Sequence, residues 1–382
     1  MITLKGTPSR AFAPIIGEVT FTPIPFYRRS KTILICEELD GASLGYKGCI
    51  CEGSKGRFYH PDHIFGVSEE DISKIKEGDI VRLDGEGKID VLWEHTSHQN
   101  CLFLTENCNC RCVMCPQPPT DTNSPQLIKE VEEVLDLLRA QKVSDICLTG
   151  GEPSLVGDKF FSILRRCVTE HPEANISILT NGKLFADKKF ADNLLGIPTK
   201  KVTFCVSLHS EVDTLHDMIV GRKGSYAKTQ KGIYHLASMG FPIEIRVVIT
   251  KLNYHHLLDF AEHLYNYFPF CIHYAFIGLE LHGQAEKNAD KVYISPQDFQ
   301  ESLKDAVLFL ARRGLPVSIY NIPLCLCHNE VKNFARQSIS GWKNIYLPVC
   351  DECEEKLSCA GFFSTSAFLP IELITPIRRK EQ

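Results

Sequence analysis

No run of 18 apolar residues occurs in the 382-residue sequence, and the opening Met1-Ile2-Thr3-Leu4-Lys5-Gly6 lacks a hydrophobic signal core. Neither a membrane-spanning helix nor a secretory leader is expected, which assigns the chain to the cytoplasm. Basic runs are missing too. With 42 Lys and Arg against 47 Asp and Glu, net −5, no segment forms a cationic track along a phosphate backbone, so an extended nucleic-acid partner is disfavoured. A composition 44% hydrophobic and 23% charged is that of a globular protein with ample core. Cysteine is the residue in excess, at 17. In a reducing compartment that number argues for metal or cluster ligation rather than a disulfide framework. Cys147, Cys167, Cys205 and Cys271 lie singly in apolar segments and read as small core residues.

The densest cysteine group is Cys108-Asn109-Cys110-Arg111-Cys112-Val113-Met114-Cys115, between Leu102-Phe103-Leu104 and Pro116-Gln117-Pro118-Pro119. Thiolates at Cys108, Cys112 and Cys115 can hold three corners of a [4Fe–4S] cubane, leaving the fourth iron without a protein ligand. An open iron is a site for chemistry. Structural zinc prefers a closed four-ligand shell and an electron-carrying cubane takes four cysteines, so the spacing points away from both. Cys110 reads as a bystander within the loop. This CxxxCxxC triple after a first strand resembles the radical S-adenosylmethionine (SAM) enzymes. The resemblance implies that SAM chelates the open iron and is split to a 5′-deoxyadenosyl radical. An external one-electron donor such as flavodoxin or ferredoxin would supply the electron. Met114 stands where that family usually places an aromatic residue near the adenine.

Three domains are expected: a small β-rich domain at 1–95, a barrel at 96–285 and a cysteine-rich region at 286–382. The first contains the β-branched Lys31 to Cys36 and a hairpin from Asp79 to Trp93 turning at Asp84-Gly85-Glu86-Gly87. Cys49, Cys51, His60 and His63 offer zinc-type donors there, and a free sheet edge would suit an added peptide strand. In the second, Ser124-Pro125 opens a helix carrying Leu127, Val131, Val134 and Leu138 at helical spacing. Strands are then expected near 143–148, 176–180, 202–208, 243–249 and 271–277, with helices interposed. This alternation implies parallel strands, and with Leu102 to Thr105 the count of six matches the partial (β/α)6 barrel of the radical SAM resemblance.

Remaining signatures fall at strand ends. Thr149-Gly150-Gly151-Glu152-Pro153 resembles the family's GGEP segment, which implies that Gly150, Gly151 and Glu152 receive the ammonium of SAM. By the same resemblance Ser207 belongs to the ribose and carboxylate region and Arg246 to the carboxylate. The run His216-Asp217 through Gly224-Ser225-Tyr226 resembles a segment of peptide-modifying members and is given no catalytic role. Farther on come Cys325-Leu326-Cys327, Cys350-Asp351-Glu352-Cys353 and Cys359-Ala360-Gly361-Phe362-Phe363. Their spacing resembles the SPASM and twitch extensions, implying one auxiliary [4Fe–4S] cluster drawn from Cys325, Cys327, Cys350, Cys353 and Cys359, with structural zinc as the rival.

Together these segments resemble the radical SAM maturases of the His-Xaa-Ser peptide system. The expected activity is hydrogen abstraction from a ribosomally made peptide, with that peptide and a companion maturase as partners. Radical modification of a small metabolite or tRNA base is the alternative within the same chemistry, and a non-catalytic zinc scaffold the alternative outside it.

Overall fold

In amino-terminal strands such as Thr32–Cys36 and Lys88–Trp93 a β-branched residue recurs at every second position, Ile33 and Ile35 in one and Ile89 and Val91 in the other, so each presents an apolar face that must pack against others of its kind. The computed structural model describes residues 2–39, 43–53, 62–120, 125–365 and 374–378. The chain forms two units, one of residues 1–104, 124–147 and 162–175, the other of 105–123, 148–161 and 176–382.

The first unit contains an eight-stranded sheet whose buried face carries Val19, Ile33, Ile35, Ile50, Ile64, Val81, Leu83, Ile89 and Val91. The expected hairpin is present as Ile80–Leu83 against Lys88–Trp93. The two strands at the ends of the sheet order, Thr3–Lys5 and Thr7–Pro8, are consecutive in sequence and separated only by Gly6. Gly6 N donates to Gly87 O and Ser9 N to His63 O, so one short segment covers both ends of the sheet. The free edge expected to accept a peptide strand is therefore occupied, among the described residues, by the chain's own beginning.

Cys49 and Cys51 lie on the sheet's other face with Leu34 and Tyr46, and Cys51 Sγ is 3.3 Å from Cys36 Sγ. His63 sits beside Cys49 in register, while His60 and the helix-opening Ser124 lie outside the described residues. The helix itself spans Pro125–Leu138 and buries Ile128, Val131, Val134, Leu135 and Leu138.

The α/β class expected from the sequence is observed. Parallel strands run in sequential order: β1 (Cys101–Phe103), β2 (Asp145–Thr149), β3 (Asn175–Thr180), β4 (Val202–Ser207), β5 (Ile243–Val248), β6 (His273–Ile277) and β7 (Val317–Tyr320). The seventh strand extends the six expected, with Ser318 in register beside Ala275 of β6. Helices Asp158–Glu170, Ser225–Ser238, Leu257–Tyr267 and Pro296–Ala311 fall between successive strands. On β5, Ile243, Ile245 and Val247 are buried, whereas Glu244, Arg246 and Val248 on the opposite face keep some access. Edge-to-face contacts among Phe160, Phe185, Phe204 and Phe241, at 5.2 to 6.2 Å, fill part of the second unit's core. Among the described residues no helix is long and apolar enough to cross a membrane.

One buried ion pair in the first unit makes its stability testable. Arg82 bridges Asp90 of the neighbouring strand and Glu130 of the helix, the latter at 3.0 Å, with both carboxylates nearly inaccessible. Asp90 keeps Lys88 and Thr3 as partners, but Glu130 would lose its cation. Arg82→Met should therefore destabilise the protein by about 3 kcal/mol, read as a lowered denaturant midpoint. A change within the error of the measurement would show that the pair contributes nothing.

Candidate active site at the carboxyl ends of the strands

The cysteine loop has no secondary structure of its own, so its shape depends on what grips its backbone. On one side the segment after β2 approaches closely: Gly151 N donates to Thr105 O at 2.7 Å and Glu152 N to Asn107 O at 2.8 Å. A Cβ at Gly151 would stand 2.3 Å from Asn107 O, which explains the glycine. On another side, Arg111 N donates to Val220 O at 3.0 Å and Val113 N to Ile219 O at 2.9 Å. Gly221, at φ +64, leaves room there for Arg111 O. A third contact runs from Gln284 N to Cys115 O at 2.8 Å. The segment from His216 to Tyr226, given no role by the sequence, is thus a brace for the loop. Asp217 steadies it by accepting from the backbone N of Gly224 and of Tyr226, at the start of helix Ser225–Ser238.

Cys108, Cys112 and Cys115 are partly accessible, whereas Cys110 is buried, at 2% exposed. Hydrogen bonding to Cys110, and then burial, raises the pKa of both Cys108 and Cys112, and burial raises that of Cys115. Without a cation these sulfurs are held as thiols, and iron would supply the charge that makes thiolates favourable. Three partly accessible sulfurs on one gripped loop, with the sulfur of Cys110 buried beside two of them, fit a cluster with an open iron. Met114 is buried against Ile219, Leu281 and Ala285, so it belongs to the core and not to an adenine wall.

Glu152 is 1% exposed, and burial pushes its carboxyl above the usual range. Its oxygens accept from Ser154 N at 3.2 Å, Ser154 Oγ, Thr180 Oγ1 at 2.7 Å and Asn181 N at 2.7 Å. Four donors commit this carboxylate to joining the ends of β2 and β3. Asn181 continues the link, donating from Nδ2 to Asn109 Oδ1 at 2.7 Å inside the cysteine loop. Ser207 and Arg246 lie side by side in register on β4 and β5. Arg246 Nη1 donates to Glu244 at 2.8 Å, Glu244 pairs with His273 Nδ1 at 2.8 Å, and His273 Nε2 lies 3.0 Å from Ser318 Oγ. The Arg246 side chain remains 31% exposed, so this chain orients the guanidinium without sealing it. Asn109, Lys183, Glu244 and His273 were not singled out from the sequence. Glu244-x-Arg246, an acid and a base on one face of a strand, was the available signal for Glu244 alone among these four.

Residues 102–264 match the Radical SAM superfamily. This part of the chain is a radical SAM domain. Its cofactors are accordingly a [4Fe–4S] cluster and SAM. The chain is 29% identical to the GTP 3′,8-cyclase of Aquifex aeolicus over 43% of its length and 52% of that protein. It is 30% identical to the sporulation killing factor maturation protein SkfB of Bacillus subtilis, over 43% of this chain and 39% of that one. A crystal structure of Streptococcus suis SuiB bound to S-adenosylmethionine aligns with 57% of this chain and 49% of its own, at a TM-score of 0.48 and 17% identity. The chain spans between about two fifths and one half of the length of these relatives.

Beyond the radical SAM domain, Cys325, Cys350, Cys353 and Cys359 line one cavity together with Leu324, Tyr346, Val349 and Phe362. Cys327, the fifth candidate, is buried but does not line it. Burial pushes Cys325 up to about 12, with the neighbouring cysteines adding to the effect, and burial also raises Cys359. Four converging sulfurs in an apolar cavity fit a closed shell around a metal or cluster.

The glycine contacts give a direct check on the radical SAM loop. Gly151→Ala forces a Cβ against Asn107 O, so iron retained after anaerobic reconstitution should fall several-fold. Gly157→Ala, where a Cβ meets nothing within 4 Å but φ is +60, should cost stability without that loss. Equal iron in the parent and the Gly151 variant would show that the close approach does not shape the loop.

Proposed function

We propose that this protein is a radical SAM peptide maturase, removing hydrogen from a ribosomally made peptide, with substrates of the His-Xaa-Ser type. Bound together, the cluster and SAM supply a 5′-deoxyadenosyl radical that takes a hydrogen atom from a carbon of the substrate. Cys108, Cys112 and Cys115 would hold the cluster. The backbone of Gly150, Gly151 and Glu152 would receive the SAM ammonium, because the Glu152 carboxylate is already engaged by four donors. Ser207 and Arg246 would receive its ribose and carboxylate side, with Glu244 orienting Arg246. A flavodoxin or ferredoxin would deliver the electron, and a companion maturase would present the peptide. Cys325, Cys350, Cys353 and Cys359 would hold one auxiliary [4Fe–4S] cluster, leaving Cys327 as a core thiol.

One observation carries the peptide over a nucleotide. A cavity beside the ends of β6 and β7 is lined by Leu279, Leu281, Tyr293, Phe299, Ile322, Phe362 and Phe363, and contains no Lys, Arg or His. A triphosphate requires cations, whereas an apolar or aromatic side chain of a peptide requires such a wall. A relative named for maturation of the sporulation killing factor accords with this reading. Relatives named GTP 3′,8-cyclase favour a second one, in which the same domain acts on a nucleotide.

Ligand assignment and substrate class separate in a single set of variants. Cys112→Ala should abolish 5′-deoxyadenosine formation and Cys110→Ala should leave most of it. Cys353→Ala should keep SAM cleavage, lose peptide product and lower the iron content. If the two loop variants behave alike, the ligand set is wrong. Zinc in place of the second portion of iron would make the carboxyl-terminal site structural, and product from GTP but not from peptides would replace the substrate.

A further inference from the structure

Lys183 follows Thr180-Asn181-Gly182 at the end of β3 and is only 8% exposed. Its Nζ donates to Asn109 O in the cysteine loop at 2.9 Å and to Ser225 Oγ at 3.3 Å. Both of these acceptors are neutral, and a third contact is the Cys110 sulfur, whose pKa is lowered by hydrogen bonds from Cys108 and Cys112 and by the hydrogen bond and charge of Lys183. Among the described residues no carboxylate lies within ion-pair distance of this ammonium, and the buried acid of the region, Glu152, is engaged by four other donors. A buried ammonium beside a cysteine sulfur and two neutral acceptors is costly unless an anion accompanies it. Two other cations touch the loop carbonyls, Arg111 Nη1 on Cys108 O at 2.9 Å and Arg222 Nε on Asn109 O at 3.4 Å. Both are exposed, so water and salt screen them, whereas Lys183 is shielded.

We infer that Lys183 is the built-in counter-ion of the cluster held by Cys108, Cys112 and Cys115, and that it makes the cluster easier to reduce. This rests on the radical SAM reading of the loop. A cubane bound by three thiolates carries net negative charge, and accepting an electron adds one more. A fixed positive charge against the ligand loop stabilises the reduced form more than the oxidised one and so moves the potential upward. Lys183 touches neither SAM nor substrate, and acts as a positioning and tuning residue through the charge it places beside Asn109.

The test uses the full chain, with and without its cluster, and does not depend on turnover. Lys183→Met and Lys183→Gln, reconstituted anaerobically to parental iron and sulfide, should show a midpoint potential shifted negative in a titration followed by electron paramagnetic resonance. Lys183→Arg should keep the parental value. If Lys183→Met cannot be fully loaded, thermal melting decides instead. Without a cluster the Met variant should melt above the parent, because a buried charge with no carboxylate partner is gone, and with the cluster it should lose that advantage. An unchanged potential at full loading, or a cluster-free Met variant that melts lower, would overturn the inference. So would disappearance of the shift in a Cys110→Ala background, which would make that sulfur the counter-charge. A parent cluster whose spectrum ignores added SAM would instead defeat the radical SAM reading and leave the potential measurement valid on its own terms.

Discussion

A loop without secondary structure must keep three sulfurs partly accessible while a fourth stays buried beside them, and this requirement governs the second unit. The loop's own hydrogen bonds are too few to hold that shape. It is held by backbone contacts at Asn107, Arg111, Val113 and Cys115, reached from the segment after β2, from Ile219–Gly221 and from Gln284. Each grip needs a glycine or a tight turn, since a Cβ at Gly151, Gly221 or Gly283 would stand within about 2.4 Å of a loop carbonyl. The glycines therefore serve the cysteines.

Electrostatics follow from the same arrangement. Glu152 would be an unstable buried acid if its oxygens were not met by Ser154, Thr180 and Asn181, and meeting them joins two adjacent strand ends. That leaves the rim with little free negative charge. Positive groups remain at Lys183, Arg111 and Arg222, with Arg246 paired to Glu244, around a site expected to hold an anionic cluster and the carboxylate of SAM. The charge on the protein side is complementary to the cofactors before either is bound.

Much of this was legible in the chain. The triple Cys108, Cys112, Cys115 and the segment Gly150-Gly151-Glu152 identified the chemistry because metal ligation and close backbone approach demand particular residues at short spacings. The strand order followed from alternating apolar runs, and the sheet takes in one strand more, β7 at Val317–Tyr320. Other features were not legible. Closure of the amino-terminal sheet depends on Gly6 letting one segment bend between two distant strands, and nothing in the residues at 3–8 announces it. Glu152 read as a ligand residue, whereas its burial turned it into a tie between strands. Cys325 and Cys327 were equivalent by spacing, and only the cavity separates them.

The sequence by itself determined which atoms are available for chemistry: three loop thiols, a glycine-rich turn, a second group of cysteines and an α/β alternation. Short-range spacing settles these, because ligands on one loop or one turn are close whatever the remainder of the chain does. Tertiary structure alone decided which of those atoms are free to act. Accessibility and charge compensation depend on neighbours 28 residues away or more, such as Thr180 for Glu152, Lys183 for Asn109 and Val220 for Arg111, and folding is what brings them into contact.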